Sequence, residues 1–325
     1  MSAKPVLRSA LTLAVLAAAG LAQAQGTAWV SSEKDHALTL VDLKAQAVTG
    51  TVPTCKRPRH LQFTPDGKQL AVACGESAQA DFIDLATRKS VRKVGLGDDP
   101  EIFDISADGR TLYVSNEEDA VLGIVDLASG KRSGQVKVGG EPEGVKISAD
   151  GKLVYVTSEV ANLVQAVDLA SGKVVHSIKT GKRPRRFALT PDGSQLWVSN
   201  ELDASVSIID TRTHQVAETI RFEVKGARKD DITPVGITIT RDGRRAFVGL
   251  GKANHVAFVD VASRKVTDLV LVGKRAWGLG LDKAEKTLLV VNGLSDDLSI
   301  VDVAAAKAVK TVKVGRVPHS VVVVE

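Results

Sequence analysis

The amino-acid sequence predicts an all-β protein: a seven-bladed β-propeller of four-stranded blades, closed by a C-terminal strand that joins the N-terminal blade. Three recurring features predict it. An aliphatic-Asp pair, followed in six of seven copies by a second aliphatic residue, recurs at Val41-Asp42-Leu43, Ile83-Asp84-Leu85, Val125-Asp126-Leu127, Val167-Asp168-Leu169, Ile209-Asp210-Thr211, Val259-Asp260-Val261 and Val301-Asp302-Val303. The aspartates step by 42, 42, 42, 42, 50 and 42 residues, a period that suits one propeller blade. A proline series (Pro58, Pro100, Pro142, Pro184, Pro234, Pro318, with Ala276 standing in once) keeps the same phase. So does an Asp-Gly series: Asp66-Gly67, Asp108-Gly109, Asp150-Gly151, Asp192-Gly193 and Asp242-Gly243, read at its sixth place as Asp282-Lys283.

Residues 1–24 read as a secretory signal peptide. Lys4 and Arg8 carry positive charge, Ala10 to Ala22 is almost wholly apolar, and Ala22-Gln23-Ala24 is a small-x-small cleavage site. The apolar run is shorter than the roughly 20 residues that span a bilayer. The expectation is therefore an exported, periplasmic protein whose residues 25–325 form the propeller, with no membrane span. Removing Lys4 and Arg8 from the 43 basic side chains leaves 41 against 38 acidic ones, a net of +3. So small a surplus gives little reason to expect nucleic-acid or membrane binding.

Residues 99 to 138 serve as the type unit. Pro100 has no amide hydrogen and belongs at the start of a strand. Ile102 to Ser106 is read as the first strand, Ala107 to Arg110 as a tight turn and Thr111 to Ser115 as the second strand. Val121 to Asp126 follows as the third, and Gln135 to Val138 as the fourth. The repeated aspartates, at the ends of third strands, are expected to accept hydrogen bonds from the turn that follows, a structural role. The chain opens with the equivalent of a second strand, Ala28-Trp29-Val30, and ends with that of a first strand, Ser320 to Val324. The tail should therefore supply the innermost strand of the blade begun by residues 28 to 52, leaving no open edge.

Chain direction assigns the loops. Segments before each first strand and after each second strand share one face, hereafter face one, around a central funnel. There the repeats diverge. Candidate ligand-binding residues are Arg57, Arg59, Glu101, Glu143, Arg183, Arg185, Arg186, Trp277 and His319. Two readings of these charges stand open: ion pairs across adjacent blades that keep a wet rim soluble, or guanidinium forks that grip a small anion, a carboxylate or phosphate. The eight-residue insertion over Phe222 to Asp231 lies on the same face and is either a recognition loop or an idle one. Cys55 and Cys74 fall there too, in one blade. A disulfide between them would add roughly 3 kcal/mol; a copper or zinc site with His60 is the alternative, although the histidine spacings match no standard zinc motif.

The stretch Leu112-Tyr113-Val114-Ser115-Asn116 closely resembles the YVTN family of propellers, and the resemblance extends over the whole mature chain. Glu141-Pro142-Glu143-Gly144, Arg183-Pro184-Arg185-Arg186-Phe187, Thr233-Pro234-Val235-Gly236-Ile237 and Val291-Asn292-Gly293 are similar to the exported propellers associated with PQQ-dependent alcohol catabolism. The resemblance implies a seven-bladed periplasmic propeller that serves quinoprotein pathways, with a quinoprotein dehydrogenase, a cytochrome or a transporter component as partner. It brings no established functional residues. PQQ enzymes themselves resemble eight-bladed propellers with tryptophan docking motifs and adjacent cysteines, which this chain lacks.

No nucleophile-base-orienter constellation emerges, so no catalytic residue, cofactor or metal is assigned. The leading expectation is a non-catalytic binding or scaffold protein. A lactonase-like hydrolase would draw on Glu143, Arg183, Arg185 and His319. Single-stranded nucleic acid binding would need stacking platforms, and the rim offers mainly Trp277.

Overall fold

The computed structural model describes residues 26–325; the leader expected over residues 1–24 lies outside them. Seven four-stranded antiparallel sheets follow one another around an axis. Blade 1 takes its innermost strand from Pro318–Val324 and its other three from Thr27–Ser32, Ala37–Asp42 and Ala47–Pro53. Blade 2 runs from Pro58–Phe63 to Lys89–Gly95, blade 3 from Pro100–Ile105 to Lys131–Lys137, and blade 4 from Pro142–Ile147 to Lys173–Lys179. Blade 5 runs from Pro184–Leu189 to Gln215–Arg221, blade 6 from Ile237–Ile239 to Val266–Leu271, and blade 7 from Ala276–Leu281 to Lys307–Lys313. The ring closes as the sequence predicts, with Thr27, Ala28, Trp29 and Val30 paired with Val324, Val323, Val322 and Val321.

Each second and third strand is buried on both faces, because neighbouring sheets cover it. That burial accounts for their runs of Leu, Val and Ile. The apolar clusters lie between blades: Phe82, Val94, Phe103, Val114 and Val125 join blades 2 and 3, and Trp197, Ile208, Val248 and Ala257 join blades 5 and 6. The seven repeated aspartates take the structural role expected of them. In every blade the Asp Oδ1 accepts a backbone N–H three residues on, at 2.6–2.8 Å.

Some boundaries differ from the sequence reading. The first strand of the type unit begins at Pro100, and the fourth begins at Lys131, not Gln135. The outer strand alternates exposed Lys131, Ser133 and Gln135 with half-buried positions, so hydrophobicity marks only its end. In blade 6 the inner strand shrinks to Ile237–Ile239, and Pro234 sits in the loop before it. The sixth Asp-Gly place is Ala284-Glu285, not Asp282-Lys283. Glu285 takes the left-handed conformation (φ 55°) that Gly67, Gly109 and Gly243 take elsewhere. Asp282 instead replaces the hydroxyl of Thr64 or Ser106, accepting from Thr287 N at 2.9 Å as Ser106 Oγ accepts from Thr111 N.

Candidate functional site

Six of the seven inner strands start at the proline register, Ala276 standing in for proline in blade 7, and in blade 6 Pro234 holds that place in the loop just before the strand, so the flanking positions stack as rings on face one. The residues just after the proline positions form the deeper ring: Arg59, Glu101, Glu143, Arg185, Val235, Trp277 and His319. All seven are buried, Arg59 the most exposed at 8 %. Their side chains reach across the axis as well as around it. The Arg185 guanidinium of blade 5 lies 5.2 Å from the Trp277 ring centroid of blade 7, and Arg186 Nη2 meets His319 Nε2 of blade 1 at 3.1 Å.

A relay of hydroxyls fixes four of the seven ring positions, and sequence reasoning missed it. Between the proline and the third residue after it, the pairing of inner and second strands slips by a bulge. The bulge frees the N–H of the second residue from the ladder. A second-strand Ser or Thr accepts that N–H and donates to the ring residue's carbonyl in the next blade. Ser31 accepts from Ser320 N (3.0 Å) and donates to Arg59 O (2.7 Å). Ser115 joins Ile102 N (3.2 Å) to Glu143 O (2.5 Å). Thr157 joins Gly144 N (2.7 Å) to Arg185 O (3.3 Å), and Ser199 joins Arg186 N (3.1 Å) to Val235 O (2.7 Å). These serines and the threonine recur at the 42-residue period in otherwise apolar strands, which is the signal that could have found them.

Five of the funnel-face arginines, all but Arg275, are committed to carboxylates. Arg57 pairs with Glu33 (3.5 Å) and Asp99 (3.2 Å), and Arg59 with Glu33 (3.5 Å) and Glu101. Arg183 pairs with Glu159 (2.5 Å) and Glu201 (3.3 Å). Arg185 pairs with Glu143 (3.4 Å), Glu159 and Glu201 (3.7 Å), and Arg186 with Glu143 (2.9 Å). Of the two readings left open by the sequence, the geometry thus displays cross-blade pairing. Burial alone would push the Glu143 carboxyl up; Arg185, Arg186, Arg59 and Arg183 outweigh it and hold the group at about 2. Burial pushes Glu159 up to about 7 against the pull of Arg185, with the Glu143 charge adding to the rise.

One arc of face one is crowded with acids. Asp99, Glu117, Glu118 and Glu141 line a surface pocket between blades 3 and 4, and of these only Asp99 is paired, to Arg57. Oxygens of Glu117, Glu141 and Glu159 lie within 4.8 Å of one another, as do those of Asp99, Glu101 and Glu117. Burial, then the charges of Glu143 and Asp99, raise Glu117 above the usual carboxylate range. Arg275 has no carboxylate partner among the described residues and stacks on Trp277 at 4.0 Å.

Cys55 and Cys74 are joined by a disulfide with Cα atoms 5.8 Å apart, so neither is a thiolate able to ligate metal with His60. The insertion is anchored by its apolar residues: Phe222 and Val224, with Ile232 just beyond it, bury into the core shared by blades 5 and 6. Its charged residues stay outside, Arg228 paired with Asp231 at 2.8 Å.

The sequence profile described as "Lactonase, 7-bladed beta-propeller" matches residues 143–227, and that of the "Choice-of-anchor I domain" matches residues 206–289. No curated protein matches the chain. Among solved structures, Kuenenia stuttgartiensis hydrazine synthase superposes with a TM-score of 0.76 at 21% identity, over 91% of this chain and 99% of that one. A functionally unknown protein from Desulfotomaculum acetoxidans gives 0.78 at 16%, over 92% and 99%. Dihydro-heme d1 dehydrogenase NirN, in complex with DHE, gives 0.68 at 17%, over 91% and 74%. At these identities the likeness is one of architecture, and it agrees with the blades counted above: the chain is a seven-bladed β-propeller.

Proposed function

We propose that this chain is an exported, non-catalytic binding or scaffold propeller that serves periplasmic, PQQ-dependent alcohol oxidation and docks a partner on face one. The observation that supports docking is the charge balance of that face. Arg57, Arg59, Arg183, Arg185 and Arg186 are neutralised by Glu33, Asp99, Glu101, Glu143, Glu159 and Glu201, whereas Glu117, Glu118 and Glu141 have no cationic partner among the described residues. The surplus is negative and held on a rigid scaffold, which suits a partner with a basic patch, steered in by charge. The partner classes are a quinoprotein dehydrogenase, a cytochrome or a transporter component. Affinity capture from the protein's own periplasm at low salt tests this. Such a component should be recovered, and the triple variant Glu117→Gln, Glu118→Gln, Glu141→Gln should lose it. Recovery of none, or equal recovery by the variant, refutes the proposal.

The profile match over residues 143–227 favours a second reading, a lactonase-like hydrolase. The ionised Glu143, held at about 2, is a weak general base. His319 is no better placed, since burial and then Arg186 and Arg59 pull it well below the ordinary histidine range. Turnover in a lactone and ester screen would restore that reading. Single-stranded nucleic acid binding gains nothing from arginines already paired.

A further inference from the structure

Beneath the deeper ring lies a cavity of about 290 Å³ on the propeller axis. The buried ring roofs it on face one. Toward the Asp-Gly hairpins its lining gains exposure, with the Lys146 side chain at 36 %. Most of the wall is apolar, including Ile102, Phe103, Phe187 and Ile237. Beside His60, two sets of polar groups line it. One is satisfied: Asp104 takes Lys146 Nζ at 2.8 Å and Gln62 Nε2 at 2.7 Å. Arg186 Nη2 serves Glu143 and His319 Nε2. Arginine cannot accept, so His319 carries its proton on Nδ1 and donates it to Ser320 Oγ at 3.0 Å.

The other set lacks partners. Arg186 Nε and Trp277 Nε1 are buried N–H donors without an acceptor, and Gln62 Oε1 is a buried acceptor without a donor. Buried polar groups are as a rule hydrogen-bonded, and leaving one unmade is costly. Two orphaned donors and one orphaned acceptor on side chains that line one small, largely apolar cavity describe the complement of a ligand.

We infer that this cavity binds a small organic carboxylate with an apolar body, held by Arg186 Nε and Trp277 Nε1. A hydroxyl on the body would satisfy Gln62. The surrounding charges select a monoanion. Asp104 in the wall and Glu143 in the ring above it oppose a dianion such as phosphate, while Arg186 and Lys146 oppose an organic cation. Burial draws Arg186 down to about 10 and His60 down to about 3, and an arriving carboxylate offsets the first of these without needing a charged histidine. The site opens on the face opposite the acidic arc, so it stands or falls independently of partner docking.

The test is calorimetry of the mature protein with butanoate, lactate and benzoate, alongside butylammonium and inorganic phosphate. At least one carboxylate should bind one per chain. Trp277→Phe, which keeps the ring but loses the donor, should weaken it roughly tenfold, and Ile102→Trp, which fills the cavity from another wall, should abolish it. In the wild-type protein one of the three indole N–H resonances should move on titration; the Trp197 indole, bonded to Gln195 at 3.2 Å, should not. The inference is overturned if no carboxylate binds at millimolar concentration or if butylammonium or phosphate binds instead. Binding that leaves all three indole signals unmoved, or that folded Trp277→Phe and Ile102→Trp both retain in full, overturns it equally.

Discussion

The hydroxyl relay predicts a stability loss that a strand-surface serine would not show. Ser115 is fully buried, accepts from Ile102 N at 3.2 Å and donates to Glu143 O at 2.5 Å. Ser115→Ala deletes one oxygen and strands a buried N–H in blade 3 and a buried carbonyl in blade 4. Each abandoned group costs about 1–3 kcal/mol, partly relieved by relaxation, so the loss should be roughly 2–4 kcal/mol. Ser133→Ala on the exposed outer strand of the same blade should stay within about 0.5 kcal/mol. Urea titration followed by far-ultraviolet circular dichroism measures both. The complementary change is Ala73→Ser in blade 2, where the second strand carries alanine in register with Ser115. A hydroxyl there would face His60 N and Glu101 O and should stabilise the protein by about 1 kcal/mol. Equal effects of Ser115→Ala and Ser133→Ala would refute the relay as the agent that holds the ring.

Further outcomes follow from the same geometry. Replacing Cys55 and Cys74 by alanine opens a cross-link of sequence separation 19 and should cost about 3 kcal/mol under oxidising conditions, a gap that should narrow once reductant is present to what the loss of two buried sulfur atoms leaves. The Glu143 pKa is lowered on folding, so its contribution is present above the unfolded carboxylate value and is lost as pH falls toward about 2. Glu143→Gln should flatten the acid limb of the stability profile. Glu159 carries the opposite sign: raised to about 7, it disfavours folding as pH rises from about 4.5 to 7, and Glu159→Gln should remove that decline in a melting-temperature series. A Cβ on Gly144 would stand 2.3 Å from Arg185 O of the next blade, so Gly144→Ala should destabilise by about 1–3 kcal/mol in chemical denaturation.

The blade period, the turn aspartates and the closing strand were all legible, because each depends on residues at a fixed phase. Chain direction also brought Arg57, Arg59, Arg183, Arg185 and Arg186 to one face. What spacing could not supply was their partners. Arg185 meets Glu159 of blade 4, and Arg57 meets Glu33 of blade 1 and Asp99 beside blade 3, and only ring curvature decides which side chains converge. The cavity was hidden for the same reason: Gln62, Arg186 and Trp277 share a void only once the strands encircle an axis. Asp282 was misread because Asp next to a turn looks like an Asp-Gly turn with its glycine replaced, whereas its carboxylate does the work of a hydroxyl.

The clasp between Thr27–Ser32 and Pro318–Val324 has a consequence for how the molecule fails. An open array of repeats has terminal units that fray first and can melt one at a time. Here the first and last strands share a sheet, so no repeat is terminal and each has two neighbours to lean on. Damage to any single blade is then felt around the circumference, and the protein should come apart as one body.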